Sequence, residues 1–173
     1  AGIYIPHICS HDNLHPSGSC RLCSVEIQCR DGVIASCTTK AEEGMKVTIH
    51  GEKADKVRKL SLELMFTPHP EECVGCPKYL KCQLQALSQY VGISGSGVRH
   101  RTNNVAADRT NKLMLHEMQR CVLCGRCVRA CNDLRGVGVL QYNKNEMETY
   151  VGTLHDRLLK DSDCRFCGAC YLF

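Results

Sequence analysis

Apolar positions return at helical spacing between residues 52 and 66. Ala54, Val57, Leu60 or Ser61, and Leu64 share one side, and Lys53, Lys56, Arg58 and Lys59 mark the other. The pattern predicts a helix over Glu52–Phe66 with a solvated basic face, stopped by Pro68. A second stripe, Leu80, Leu84, Leu87 and Val91, predicts a helix from Lys78 to Val91 that carries Cys82 in its first turns and ends at Gly92. Val25–Cys29 alternates as a strand does, Val33–Ser36 reads as its returning partner, and Arg30-Asp31-Gly32 as the turn between them. Val137–Tyr142 and Glu148–Gly152 read as a further strand pair joined by a polar turn. Residues 92–104 are polar and Gly-rich. They lack both GxGxxG and a Walker-type Lys, so they read as a linker rather than a phosphate cradle. The elements add up to an α+β chain with short pieces and long irregular stretches.

Composition and charge exclude several classes. The chain has 173 residues, a net charge of +4, no Trp and only three Phe. No apolar run approaches the roughly 18 residues of a membrane span, and no secretory signal opens the chain. The charge is too mild and aromatic platforms too scarce for a nucleic-acid binder. No Ser/His/Asp set, HExxH or paired-carboxylate site is present. What stands out is cysteine: 15 residues, about 9% of the chain.

The cysteines fall into four groups, and a spacer of two residues recurs in Cys20/Cys23, Cys73/Cys76, Cys121/Cys124/Cys127 and Cys164/Cys167/Cys170. That spacer lets thiolates converge on one centre and suits a structural disulfide poorly; the odd count and the missing signal argue the same way. Zinc also accepts Cys-x2-Cys pairs. Cys121, Cys124, Cys127 and Cys131, however, follow the Cys-x2-Cys-x2-Cys-x3-Cys run of two-cluster bacterial ferredoxins, with Asn132 where Pro is usual. Cys164, Cys167 and Cys170 begin a second copy, the one internal repeat of the sequence.

Each group reads as a site. Cys9, Cys20, Cys23 and Cys37 form a variant of the plant-type [2Fe–2S] pattern with a longer first spacer. Cys29 fits no ligand slot and reads as a buried small hydrophobe on a strand. The second group, Cys73, Cys76 and Cys82, needs a fourth donor. His69, stiffened between Pro68 and Pro70, is the candidate for a cluster, against a zinc site of three Cys and one His or an ordinary surface His. The other histidines, at 7, 11, 15, 50, 100, 116 and 155, lack ligand spacing. In the paired run the fourth Cys serves the other cluster, so Cys121, Cys124 and Cys127 belong to one [4Fe–4S] cluster and Cys164, Cys167, Cys170 and Cys131 to another. A rival assignment completes the first triple with Cys170 and makes one cluster. Arg21, Lys78, Arg120, Arg126 and Arg129 lie beside ligands, where they either offset the anionic clusters or are simply solvated.

The motifs "PSGSCRLCSVEI", "HPEECVGCPKYLKC" and "CVLCGRCVRAC", in this order, resemble the N-terminal iron–sulfur region of [FeFe]-hydrogenases. The same module occurs in the complex I large iron–sulfur subunit, NAD-linked formate dehydrogenases and electron-bifurcating flavin complexes. The resemblance spans essentially the whole chain. It implies a plant-type β-grasp [2Fe–2S] domain over 1–50 and a small helical [4Fe–4S] domain over 51–100 with His69 as fourth ligand. Over 101–173 it implies a two-cluster bacterial-ferredoxin-like domain. The doubled last motif looks more like the hydrogenase or bifurcating version than the complex I version. The β-grasp hairpin before Cys9 would be missing, and the fourth ligand of the Cys121 cluster would follow Phe173, so the chain is expected to be a fragment of a longer subunit.

The expectation is an electron relay through one [2Fe–2S] and three [4Fe–4S] clusters, with no catalytic site in residues 1–173. It would sit in a larger NAD(P)-linked oxidoreductase in a reducing, anaerobic cytoplasm, and the resemblance extends to electron-bifurcating complexes of that kind. The resemblance implies flavin/NAD(P)H-binding and small iron–sulfur subunits as partners, and ferredoxin as a further one. The rivals are a zinc-stabilised interaction module and an iron–sulfur redox sensor.

Overall fold

Val25 and Ile27 are β-branched and buried, and they anchor strand β1 (Ser24–Ile27) at the centre of a three-stranded antiparallel sheet. Its first half pairs with β2 (Ile34–Ala35), Ser24 opposite Ala35. Its second half pairs with β3 (Val47–Thr48), Ile27 opposite Val47. This computed structural model describes residues 2–70, 72–94, 97, 105–112, 114–144 and 148–173. The chain divides into two units: Ala1–Ser10, Pro16–Thr67 and Glu71–Arg99 form the first, and His11–His15, Pro68–Pro70 and His100–Phe173 the second.

In the first unit, helix α1 (Glu52–Phe66) lies on β1 and against α2 (Gln83–Val91). Its start has no cap of its own. Instead the Glu26 carboxylate on β1 accepts the N–H groups of Lys53 and Ala54 at 3.0 and 3.1 Å, satisfying two amides that a helix end leaves over. The buried stripe is Ala54, Arg58 and Leu62, which shares Ala54 with the expected one and then departs from Val57 and Ser61 by one residue. Leu60 and Leu64 are exposed, and Arg58, expected among the solvated cations, is 1% exposed. The reason is pairing: its guanidinium donates to the Leu22 carbonyl at 2.9 Å, the Ser24 carbonyl at 2.5 Å and the Asp55 carboxylate at 2.5 Å. A buried cation with satisfied donors is tolerated where an unpaired one is not. Lys53, Lys56 and Lys59 are exposed as expected.

Helix α2 begins at Gln83, not Lys78. Residues 78–81 close a turn through Lys81 N–H to the Lys78 carbonyl, and Leu80 takes a left-handed φ of 62° with 83% exposure. Cys82 is therefore the extended residue before the helix instead of part of its first turn. Gly92 ends the helix in the left-handed conformation, its N–H bonded to the Ser88 and Gln89 carbonyls. Cys29 is also corrected: β1 stops at Ile27, the chain turns, and Cys29 is exposed with φ 65°.

The second unit has little regular structure. Strands β4 (Leu140–Asn143) and β5 (Tyr150–Thr153) pair antiparallel, Leu140 opposite Thr153. A one-turn helix α3 (Arg126–Arg129) runs into a π-helical turn at Ala130–Leu134. Val128, Val139, Leu140, Val151 and Leu159 form one buried apolar cluster, with Cys121, Cys127, Cys131, Cys164 and Cys170 packed against it. The Asp108 carboxylate ties two segments, accepting the Leu159 N–H at 2.7 Å and the Thr110 hydroxyl at 2.6 Å. Residues 95, 96 and 98–104 of the expected linker and 145–147 of the expected polar turn lie outside the described residues. No helix among the described residues is long and apolar enough to cross a membrane.

Candidate metal centres

The first unit gathers Cys9, Cys20, Cys23 and Cys37. Cys9, Cys20 and Cys23 are 0%, 5% and 2% exposed, and Cys37 is half-buried. The Cys20 thiol shares a hydrogen bond with Cys9, which holds Cys9 down at about 4 and pushes Cys20 up. Burial pushes Cys37 up to about 11, helped by the neighbouring Cys23 and then Cys9. The four sulfurs thus form one connected set. Backbone N–H groups of Gly18, Cys20 and Leu22 are directed at them, as electron-rich sulfur requires. Gly18 sits at φ 64°, and a Cβ there would press on the Thr38 methyl at 3.3 Å, so glycine spares the loop both backbone strain and a tight contact. The donor set, four soft thiols with converging amides, fits an iron–sulfur cluster.

The second group occupies consecutive turns in the first unit: Cys76 N–H to the Cys73 carbonyl at 3.1 Å, then Tyr79 N–H to the Cys76 carbonyl at 2.9 Å. All three thiols are half-buried. His69 is placed with the second unit. Its Nδ1 lies 2.9 Å from the Pro70 carbonyl, which puts the ring proton on Nδ1 and makes Nε2 the atom a metal would use.

In the second unit the two cysteine runs separate into two sets. Burial pushes Cys127 up to about 12, and then Cys121, Cys124 and, last, Cys170 add to it. Cys121 is raised to about 11 by burial, with Cys124 adding to the rise. Cys170 is raised by burial, then by Cys164, Cys131 and Cys167. Cys131, Cys164, Cys167 and Cys170 also line one cavity, with His116 and Tyr171 in its wall. Cys170 thus shares a cavity with Cys131, Cys164 and Cys167 and also acts on Cys127, while Cys121, Cys124 and Cys127 are neighbours of one another. Among the described residues no three His, Cys, Asp or Glu side chains are gathered tightly enough to hold a single metal ion.

One backbone feature recurs at every site. Each of the six Cys-x2-Cys spacers contains one left-handed residue: Arg21, Gly75, Leu123, Gly125, Phe166 and Gly168, with φ from 47° to 87°. A left-handed residue among right-handed ones turns successive N–H groups to one side and makes an anion-binding concavity. Leu123 shows the result, its N–H 3.4 Å from Cys121 Sγ. Arg21, Leu123 and Phe166 adopt this conformation at a cost of about 1–3 kcal/mol each, which non-Gly residues bear mainly at functional sites. The pairs Leu123/Gly125 and Phe166/Gly168 repeat in backbone what "CVLCGRC" and "CRFCGAC" repeat in sequence.

Of the flanking cations, Arg21 and Lys78 are exposed, Arg120 lies 3.7 Å from Glu117, and Arg129 donates to the His15 carbonyl at 2.5 Å. Three residues escaped the sequence reading. Arg58 holds the Cys20–Cys23 loop. Arg135 bonds Cys167, which the Ala169 N–H first, and then Arg135, holds below the ordinary thiol range. The Tyr142 ring stands over Gly125, where a Cβ would run into its hydroxyl, and its phenol is pushed up to about 12 by burial and then by Cys124, Cys127 and Cys121.

Three family models match successive segments: a 2Fe–2S iron–sulfur cluster binding domain over residues 1–52, the NADH–ubiquinone oxidoreductase-G iron–sulfur binding region over 58–96, and the ferredoxin-like domain of NADH–quinone oxidoreductase subunit 3 over 111–165. The NADPH–Fe(3+) oxidoreductase subunit alpha of Geobacter sulfurreducens is 30% identical over 98% of this chain and 20% of its own length. The NADP-reducing hydrogenase subunit HndD of Solidesulfovibrio fructosivorans is 30% identical over 89% of this chain and 26% of its own. The chain thus spans about a fifth to a quarter of these curated relatives. A chain of the NAD+-reducing [NiFe]-hydrogenase crystal structure, in the H2-reduced state, superposes with a TM-score of 0.79 at 32% identity, covering 95% of this chain and 72% of that one. The chain belongs to the family of iron–sulfur electron-transfer regions shared by hydrogenase and NADH–quinone oxidoreductase subunits.

Proposed function

We propose that residues 1–173 carry electrons through one [2Fe–2S] and three [4Fe–4S] clusters within a larger NAD(P)-linked oxidoreductase. The observation that carries this reading is the connected set of four sulfurs at Cys9, Cys20, Cys23 and Cys37, faced by backbone amides. In this reading those four thiolates hold the [2Fe–2S] cluster in a domain over 1–50. Cys73, Cys76, Cys82 and His69 hold a [4Fe–4S] cluster in a domain over 51–100; here the warrant is the motif and the matching family region. In a third domain, over 101–173, Cys121, Cys124 and Cys127 serve one [4Fe–4S] cluster and Cys131, Cys164, Cys167 and Cys170 another.

When bound, such clusters accept and release one electron at a time. The chain supplies the rest. Its thiolates fix the centres, its left-handed spacers aim amides at sulfur, and its buried walls limit water, each of which tunes potential. Imidazole in place of one thiolate at the second site makes that centre less anionic and raises its potential. The partners are flavin/NAD(P)H-binding and small iron–sulfur subunits, with ferredoxin as a further donor or acceptor, and the compartment is a reducing cytoplasm.

Reductive titration followed by EPR tests the reading. It predicts uptake of about four electrons per chain, with a [2Fe–2S] signal separable from fast-relaxing [4Fe–4S] signals. In His69→Cys the second centre alone should change spectrum and drop in potential. No electron uptake, or zinc in place of iron, would sink the proposal; an unchanged spectrum and potential in His69→Cys would remove the histidine from it.

A further inference from the structure

The Leu22-Cys23-Ser24 backbone is held from one side by a single side chain. Arg58 Nε donates to the Leu22 carbonyl at 2.9 Å, and its terminal nitrogen donates to the Ser24 carbonyl at 2.5 Å. The carbonyl between them, on Cys23, accepts the Ser36 N–H at 3.1 Å. Three consecutive carbonyls around one ligand are therefore fixed. The peptide is planar and trans, so a Leu22 carbonyl turned toward Arg58 turns the Cys23 N–H away from it. The Leu22 N–H is directed at Cys20 Sγ. Leu22 itself is completely buried, and Arg58 is 1% exposed, so water neither competes for these bonds nor screens the charge behind them. Among the described residues the counter-charge that bonds the guanidinium is Asp55, whose side chain is 51% exposed and so is better screened than Arg58.

We propose that Arg58 is the positioning residue of the [2Fe–2S] site: it clamps the backbone on both sides of Cys23 and places a fixed positive charge behind the ligand loop that raises the reduction potential of the cluster. The proposal rests on the reading of Cys9, Cys20, Cys23 and Cys37 as that site. Reduction adds one negative charge to the cluster, and a nearby buried cation favours the reduced form. A purely structural role would affect only whether the cluster binds. An electrostatic role makes Arg58 and Asp55 act with opposite signs.

The test is EPR-monitored redox titration of the whole cluster-loaded chain, with iron content and g values as controls. Arg58→Gln should shift the reduction equilibrium toward the oxidised form by on the order of tenfold, about 59 mV downward for one electron. Asp55→Asn should shift it upward by less, because Asp55 is half exposed. Arg58→Lys, which keeps the charge and loses the double grip, should hold the potential closer to wild type than Arg58→Gln does and lose the cluster faster on dilution. An unchanged potential in a fully loaded Arg58→Gln, or a downward shift in Asp55→Asn, overturns the proposal. If Arg58→Gln fails to take up the cluster, Asp55→Asn decides by the direction of its shift. A wild-type chain with no [2Fe–2S] signal is a failure of the site reading itself and is seen before any variant is made.

Discussion

The first and second units solve one problem in two ways. Both place cysteines two residues apart around a left-handed residue. In the first unit the Cys20–Cys23 loop runs straight into β1, is pinned by Arg58 from α1, and keeps three of its four sulfurs buried. In the second unit the cysteines sit on one-turn helices and irregular chain around a cluster of five buried apolar residues, and their sulfurs are half-buried or, at Cys167, exposed. A sheet and two helices can hold the first site in shape without metal. The regular elements described in the second unit are a two-stranded ribbon and one-turn helical pieces, and its fold should depend on the clusters it binds.

The largest effect should come from removing iron. Chelation should abolish amide-exchange protection in α3, β4 and β5 while β1 and α1 keep theirs. Equal loss in both units would erase the contrast. Next in size, Cys23→Ser should delete the [2Fe–2S] EPR signal and leave the other centres in place. Cys127→Ser, by contrast, should lower the melting temperature of the second unit as well as its iron content, because there the ligand also packs on the core. A smaller effect is expected at Gly125, which is left-handed and lies under Tyr142. Gly125→Ala should destabilise the second unit by about 1–3 kcal/mol, and Tyr142→Phe in the same chain should recover part of it by removing the hydroxyl that the new methyl meets. Thermal melts of the two variants and the double variant give the coupling directly. Smallest is Asp108→Ala, which leaves the Leu159 N–H unpaired and should cost the second unit about 1 kcal/mol without altering any EPR signal.

What could be read in the sequence followed from short-range chemistry. The ligand spacings need only a few residues of chain to bring thiols together, so Cys20/Cys23 and the repeated triples declared themselves, as did the existence of α1 and its end before Pro68. What could not be read depends on partners far along the chain. Arg58 looks like one more surface cation beside Lys56 and Lys59 until the carbonyls 34 and 36 residues away come to meet it. The 54/58/62 spacing was the only hint of its burial. Cys29 reads as a strand residue because the alternation continues past Ile27, but the strand register ends there. Leu80 carried the apolar stripe of α2, yet the turns through Cys76 and Lys78 hold it out of the helix. The left-handed spacers had no side-chain signature at Arg21, Leu123 or Phe166; only the glycines at 75, 125 and 168 suggested them.

The most direct test of the account is the metal content of the anaerobically purified chain, measured together with acid-labile sulfide. Full loading predicts about 14 iron and about 14 sulfide per chain, with zinc near background. A colourless protein with three or four zinc ions and no sulfide would contradict it.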